Sequence, residues 1–288
     1  DGPEEVRFLY RLFSDGSTLH LVDSGRQRVL TLDSDGEFLG AWKISFFRLH
    51  NPGRFSLVDD RGFGLALDAP GLSDGRGDAR RDVHLVRLEP DRSVDTLRSL
   101  TGPRLSWQEG RFFYLPFTAG HKIDARPGGS VLTHPTDATL EFLDGKGRTE
   151  RIVDTGRPAE QLTPGIIEDW RVDRRAAFAA GGVTDPDMIY PFGREPEWPD
   201  HLPVYDRSYG ATDRCVWARR YHRYWEDDAP ERYDVVSMDA GLVAEITLPP
   251  GWQLRDVRGS EIAILTRDEF AVPQVLVARF DDGGDEYC

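Results

Sequence analysis

The chain alternates short apolar segments with polar turns that contain Asp and Gly. The clearest stretch runs from Tyr10 to Trp42 and reads YRLFSDGSTLHLVDSGRQRVLTLDSDGEFLGAW. Its apolar residues fall in runs of strand length, and the turns SDG, DSGR and DSDG supply Gly or Asp where a hairpin needs a positive φ. Three tight turns that join four strands predict one four-stranded antiparallel sheet.

Similar units follow along the chain. The second contains RFSLVDDRGFGLALD, an Arg/Gly/Asp-rich excursion over 71–81 that we interpret as a surface loop, and DVHLVRLEPDRSVDTLRSL. The third begins at GRFFYLPF and places RPGGS and LDGKGR at its hairpins, and the fourth, over 202–249, uses MDAG. The fifth, over 251–280, shows three strands and no fourth.

The recurrence of one turn chemistry at a period of roughly 40 to 50 residues is typical of radially repeated sheets. We therefore predict an all-β fold: a β-propeller of four-stranded antiparallel blades, with about five blades visible and a six-bladed parent ring. Residues 1–288 are expected to form a single domain. A β-sandwich is the alternative, since short strands with frequent turns suit it as well.

The missing strand of the fifth unit bears on ring closure, because propellers usually close by pairing strands from opposite chain ends. The opening segment DGPEEVRFLYRLF is the nearest candidate for that strand. The alternative is that the strand and a further blade precede Asp1. Because the chain opens without Met, we expect a removed leader or a longer precursor.

One segment, 157–199, interrupts the pattern. It contains PAEQLTPGIIEDWRVDRRAAFAAGG, in which Ile166, Ile167, Trp170 and Val172 have helix-like spacing before a stop at Gly181 and Gly182. Because β-type repeats resume afterwards, we predict a partly helical insertion between blades.

The same residues resemble a known family, the bacterial six-bladed β-propellers related to NHL-repeat proteins. DGPEEV resembles the connector that precedes a new blade, with Glu4 in place of a glycine. LVDSGRQRVLTLDSDGEFLGAW resembles the NHL pattern, and EITLPPGWQLRDVRGSEIAILTRDEFAVPQVLVARF is similar to a final blade. The resemblance implies a propeller fold and a periplasmic or secreted location, but no activity.

Net charge, hydropathy and cysteine content limit what the chain can bind and where it can reside. A net charge of -14 argues against binding nucleic acid, which needs a clustered basic surface. No apolar run approaches the eighteen or so residues of a membrane span. Cys215 and Cys288 form neither a metal-ligand spacing nor a disulfide framework, although one bridge between them is possible.

Local support for catalysis is absent from the sequence. The chain has one asparagine, Asn51, whereas calcium-dependent propeller hydrolases hold their metal with several Asn oxygens beside carboxylates. Its seven histidines form no HxH or HxxxH pair, and there is no GxSxG elbow. We therefore assign no catalytic, cofactor-binding or metal-binding residue.

Two aromatic segments are candidate contacts for a protein partner, because interfaces concentrate Trp, Tyr and Arg at their centres. The first is a long hairpin within RCVWARRYHRYWEDDAPERYD, and the second is the insertion segment DPDMIYPFGREPEWPDHLPVY. The predicted partner-binding residues are Trp217, Tyr221, Arg223, Tyr224, Trp225, Tyr190, Phe192 and Trp198. The alternatives are that the hairpin packs on its own blade and that the insertion caps its own propeller.

The leading hypothesis is a non-enzymatic, extracytoplasmic propeller that acts as a protein-binding scaffold. One concrete form is an extrinsic subunit of a membrane-bound electron-transfer or light-harvesting complex. The alternatives are a lactonase-like hydrolase or lyase that uses the central channel, and a sensor of glycans or small ligands.

Overall fold

The structure is a computed structural model. It describes residues 6, 9–14, 18–23, 25–43, 55–58, 61–67, 77–88, 94–108, 111–118, 120–183, 185, 189–190, 195–223, 225–226 and 229–279. One helix and twenty strands lie within these ranges.

The strands form five antiparallel sheets, which we number as blades in chain order. Blade one contains β1 (Leu9–Ser14), β2 (Thr18–Asp23), β3 (Arg28–Asp33) and β4 (Phe38–Lys43). Blade two contains β5 (Phe55–Val58), β6 (Arg61–Leu67), β7 (Gly77–Leu88), β8 (Val94–Gln108) and β9 (Arg111–Tyr114). Blade three contains β10 (Lys122–Arg126), β11 (Gly129–His134), β12 (Thr139–Asp144) and β13 (Thr149–Asp154).

The helix, α1 (Pro164–Ala180), separates blade three from blade four. Blade four contains β14 (Tyr205–Gly210), β15 (Cys215–Arg220), β16 (Arg232–Ser237) and β17 (Gly241–Thr247). Blade five contains β18 (Gln253–Arg258), β19 (Glu261–Arg267) and β20 (Pro273–Arg279). In every sheet, strands that are consecutive in sequence are neighbours.

The first strands of blades two to five contact one another in order: β5 meets β10, β10 meets β14, and β14 meets β18. These inner strands run so close that a Cβ added at Gly210 of β14 would lie 2.2 Å from the carbonyl oxygen of Ala125 in β10. Sheets that meet along their first strands are arranged radially. The fold is therefore a β-propeller, as the repeats predict.

Three hairpin turns confirm the turn chemistry expected from the sequence, but in the DSGR turn the residue with a positive φ, 51°, is Gln27 and not Gly or Asp. Gly36, Gly128 and Gly241 follow or open strands at the predicted bends and have φ values of 87°, 75° and 79°. Asp33 accepts hydrogen bonds from two backbone amides of its own turn, those of Asp35 and Glu37. The SDG turn falls partly outside the described residues.

Two boundaries in the early part of the chain were predicted wrongly. Residues 77–81 belong to β7 and not to a surface loop, because β8 supplies a partner strand in which Trp107 lies opposite Gly77. The segment Arg111–Tyr114 does not open blade three; it pairs with β8 as the fifth strand of blade two. Local composition indicates a strand here but does not specify its partner.

The opening segment does not supply the last blade's missing strand through Leu9–Ser14. Those residues form β1, which pairs with β2 in blade one. Blade five itself has three strands in the described part of the chain, as its sequence predicts. The six-bladed parent ring stays a prediction.

The core lies between blades, and period-two alternation divides each strand between two neighbours. Val131 of β11 packs towards blade four, whereas Leu132 packs towards blade two. Val216 of β15 likewise faces blade three, and Trp217 faces blade five.

Candidate functional site

Several long connections meet at one end of the propeller. Since strand direction alternates in each blade, the β9–β10, β13–β14 and β15–β16 connections all lie at the same end. Their apolar side chains pack into one cluster, which we call the aromatic cap. It consists of Phe117, Leu162, Ile166, Ile167, Trp170, Ile189, Tyr190, Trp198, Leu202, Tyr221 and Trp225.

Helix α1 provides the base of the cap. Thr163 is its N-cap residue and accepts a hydrogen bond from the Ile166 amide, and Pro164 occupies the first turn. The helix ends at Ala180 with Gly181 as its C-cap, as the sequence predicts. Ile166 and Trp170 are buried, whereas Val172, which shares their apolar character, is exposed because it lies on the opposite side of the helix.

Phe117 lies at the centre of the cap. Its ring centroid is 5.9 Å from that of Trp170, 5.6 Å from that of Trp198 and 5.6 Å from that of Trp225. Only 4% of the residue is exposed, and its φ is +59°, an uncommon conformation for a bulky side chain. Packing against three tryptophans from two connections holds this strained backbone in place.

Charged pairs form the rim of the cap. The Trp198 indole donates a 2.7 Å hydrogen bond to Glu195, which also accepts from Arg171. Arg223 pairs with Glu226 at 2.8 Å and with Glu160. The rim thus joins the insertion to the β15–β16 connection.

The residues predicted to bind a partner have three different placements. Tyr190, Trp198, Tyr221 and Trp225 lie in the cap, where each is half-buried, and Arg223 lies on its rim. Trp217 is buried between blades four and five. Tyr224 and Phe192 fall outside the described residues. The sequence did not indicate that Phe117 would bring the two aromatic segments together.

Blade four carries two buried charge clusters that sequence reasoning missed. On the face towards blade three, Asp234 is fully buried and accepts hydrogen bonds from Arg157, Arg220 and Tyr205 at 2.7–3.0 Å. Burial and the nearby Asp234 carboxylate raise the pKa of Tyr205, so its hydroxyl remains a donor. We call this set the Asp234 clamp.

The face towards blade five has a matching set, the Arg219 clamp. Arg219 donates to both oxygens of Asp206, at 2.7 and 3.0 Å, and to Glu231 at 2.7 Å. Burial opposes the charged guanidinium, but these two carboxylates raise its pKa and keep it charged. The second oxygen of Glu231 accepts from the Leu254 amide of blade five.

A third cluster joins blades two and three. Glu141 is buried and accepts from Arg98, Thr149 and His134, the last at 3.2 Å. Burial alone would raise the pKa of Glu141, but these hydrogen bonds outweigh it and lower the value to about 2.

The described residues also bear on metal binding, on polar contacts between blades and on membrane-spanning helices. No group of three or more His, Cys, Asp or Glu side chains in those ranges is placed to hold a metal ion. Between blades three and four, Ser208 donates to Asp124 at 3.0 Å and accepts from Thr133 at 2.9 Å. None of the helical segments in the described ranges has the length and hydropathy needed to cross a membrane.

No protein-family model matches the chain, and no curated protein matches its sequence. Among solved structures, a DUF4221 family member from Bacteroides vulgatus is similar over 97% of this chain and 81% of that one, with 10% identity and a TM-score of 0.51. BamB from Moraxella catarrhalis matches 94% of this chain and 69% of that one, with 8% identity and a TM-score of 0.32. Glutaminyl cyclase from Myxococcus xanthus matches 95% of this chain and 97% of that one, with 9% identity and a TM-score of 0.31. The likeness to the DUF4221 member supports the propeller fold, and the fold alone.

Proposed function

We propose that this propeller is a non-catalytic scaffold that binds a protein partner outside the cytoplasm. The observation that carries the proposal is the aromatic cap. Four of its rings, those of Tyr190, Trp198, Tyr221 and Trp225, are half-buried and keep part of their surface towards solvent. Rigid aromatic side chains beside arginines are the usual anchors of protein interfaces, since they lose little conformational entropy on binding.

The cap binds its partner as a preformed surface. Phe117 and Trp170 fix the rings from below, and the Glu195 and Arg223 pairs fix them at the rim. A surface held in this way does not need to be ordered on binding, which favours affinity.

The extracytoplasmic part of the proposal is supported by Cys215, which is buried and disulfide-bonded. Structural disulfides persist in oxidising compartments and are rare in the cytosol. The chain's other cysteine is Cys288, and we propose it as the partner. Peptide mapping of non-reduced protein should show one peptide pair that joins Cys215 and Cys288; a free Cys215 thiol in protein from native membranes would contradict the location.

In its most specific form, the proposal makes this protein an extrinsic subunit of a membrane-bound electron-transfer or light-harvesting complex. The test is affinity purification of the tagged protein from its own host after gentle detergent extraction. We expect a stoichiometric partner that remains through a second sizing step. Purification of the propeller alone, under conditions that keep known complexes of those membranes intact, would contradict the scaffold role.

A pair of charge reversals assigns the contact to the cap. Arg223→Glu changes the rim, whereas Arg214→Glu changes an exposed arginine that pairs with Asp239 at the opposite end. We expect the first variant to lose the partner and the second to retain it, with both folded by circular dichroism. Equal retention by both variants would contradict binding through the cap.

A further inference from the structure

Three glutamates on the rim of the aromatic cap each keep one oxygen available. Both hydrogen bonds that the Glu195 side chain accepts go to its Oε1 atom. Arg223 likewise binds the Oε1 atom of Glu226 and the Oε1 atom of Glu160. Within the described residues, the Oε2 atom of each of these glutamates accepts no hydrogen bond. Three carboxylate oxygens beside the half-buried rings can therefore accept from a ligand.

The arginines of this rim lie inwards and its glutamates lie outwards. The side chains of Arg171 and Arg223 are each 22% exposed. Those of the three glutamates are 40–58% exposed. A partner that approaches the cap therefore meets carboxylates before it meets guanidinium groups.

Negative charge is concentrated in the segments that form the cap. The three connections, 115–121, 155–204 and 221–231, contain thirteen acidic and six basic residues, a net charge of -7. They thus hold half of the chain's net charge of -14 in less than a quarter of its length. A surface with this charge attracts basic partners and repels acidic ones.

We infer that the cap binds a basic segment of its protein partner, whose arginine or lysine side chains lie against Trp198 and Trp225. Each cationic group then reaches the available oxygen of the neighbouring glutamate, which is Glu195 for Trp198 and Glu226 for Trp225. A cation over an indole face is attracted by the ring quadrupole, and a hydrogen bond to a carboxylate adds to that attraction. This inference specifies the chemistry of the partner and rests on the proposed function.

Three peptides of equal length test that chemistry. The first alternates glycine with arginine, the second has citrulline in place of each arginine, and the third has glutamate there. Citrulline keeps the shape of arginine but has no charge. Titration calorimetry at about 50 mM salt measures all three. We expect the arginine peptide to bind at least about tenfold more tightly than the other two, and its affinity to fall as the salt concentration rises.

A matched pair of double variants separates the rim from the general attraction of an acidic protein. Glu195→Gln with Glu226→Gln removes two rim charges, while each glutamine can still accept the bonds that hold the rim. Asp239→Asn with Asp256→Asn removes two exposed charges that pair with arginines away from the cap. Both variants change the net charge equally. We expect the first to weaken binding of the arginine peptide about tenfold and the second less than about twofold, with both folded by circular dichroism.

Three results would overturn the inference. The first is an arginine peptide that does not bind at about millimolar concentration. The second is a citrulline or glutamate peptide that binds as tightly as the arginine peptide. The third is equal weakening by the two double variants.

These measurements do not use the native partner, so they separate this inference from the scaffold role. If a partner co-purifies with the protein but the arginine peptide does not bind, the scaffold role stands and the basic chemistry of the partner is wrong. If the arginine peptide binds at the rim but no partner co-purifies, the scaffold role is wrong and the basic chemistry stands.

Discussion

Two apolar regions at the surface of this propeller differ in how far the chain's own side chains cover them. The aromatic cap contains residues from the β9–β10, β13–β14 and β15–β16 connections. Its rings bury most of their apolar surface against one another. The last strand of blade five has smaller residues, yet Val275 and Val277 remain largely exposed. Aromatic content therefore does not measure how much apolar surface is left for a partner; what counts is whether the chain itself supplies the opposing layer.

The strongest test of this comparison uses one residue type in both regions. Phe117→Ala should destabilise the protein by about 3–5 kcal/mol, because it removes a buried ring that contacts three tryptophans. Phe270→Ala, at a 77% exposed position in the β19–β20 hairpin, should cost less than about 0.5 kcal/mol. Urea unfolding followed by tryptophan fluorescence measures both; equal losses would show that packing around Phe117 does not stabilise the cap.

The substitution Asp234→Ala applies the same comparison to a buried and an exposed carboxylate. The change leaves Arg157 and Arg220 without their shared buried carboxylate and should cost about 3 kcal/mol or more. Asp256→Ala removes an exposed partner of Arg258 in blade five, and such pairs contribute at most about 1 kcal/mol. Thermal unfolding at neutral pH compares the two, and equal losses from Asp234→Ala and Asp256→Ala would contradict the difference between a buried and an exposed ion pair.

The pKa of Glu141 predicts an acid-dependent loss of stability. Its folded pKa of about 2 lies below the ordinary value of 4.5, so the carboxylate contributes stability that is complete above about pH 5 and disappears as the pH falls towards 2. The contribution is about 3 kcal/mol. Glu141→Gln should reduce this pH dependence in urea titrations from pH 6 to 2; parallel curves for Glu141→Gln and wild type would contradict it.

The smallest expected effects come from replacing valine by threonine, which has nearly the same shape, at one exposed and one buried position. Val277→Thr should change the free energy of unfolding by less than about 0.5 kcal/mol, because its side chain is exposed. Val235→Thr buries a hydroxyl between blades four and five and should cost about 1–3 kcal/mol. Chemical denaturation measures both variants, and a larger effect at Val277 would show that its face is covered.

The sequence predicts the parts of this fold that depend on neighbouring residues. The turn at Asp33 needs only its own amides, and α1 has its cap residue, apolar spacing and Gly stop within one segment. The three strands of blade five are likewise local features.

The errors arise where a strand's partner lies elsewhere in the chain. Arg111–Tyr114 has clear strand character, but only the length of β8 assigns it to blade two. Arg157 and Asp234 are 77 positions apart, and no local pattern joins them. Phe117 stands in a short loop that gives no sign of the three tryptophans around it.

The carboxylates that Arg219 and Arg220 bind also hold groups outside blade four: Glu231 accepts from the Leu254 amide of blade five, and Asp234 accepts from Arg157, which follows β13 of blade three. In an array of stacked units, such nearest-neighbour links determine how many units open together. Native-state hydrogen exchange should therefore show the amides of blades three and four opening as one cooperative group, whereas those of β20 exchange earlier. Two buried carboxylates of one blade thus set the size of the unit that melts.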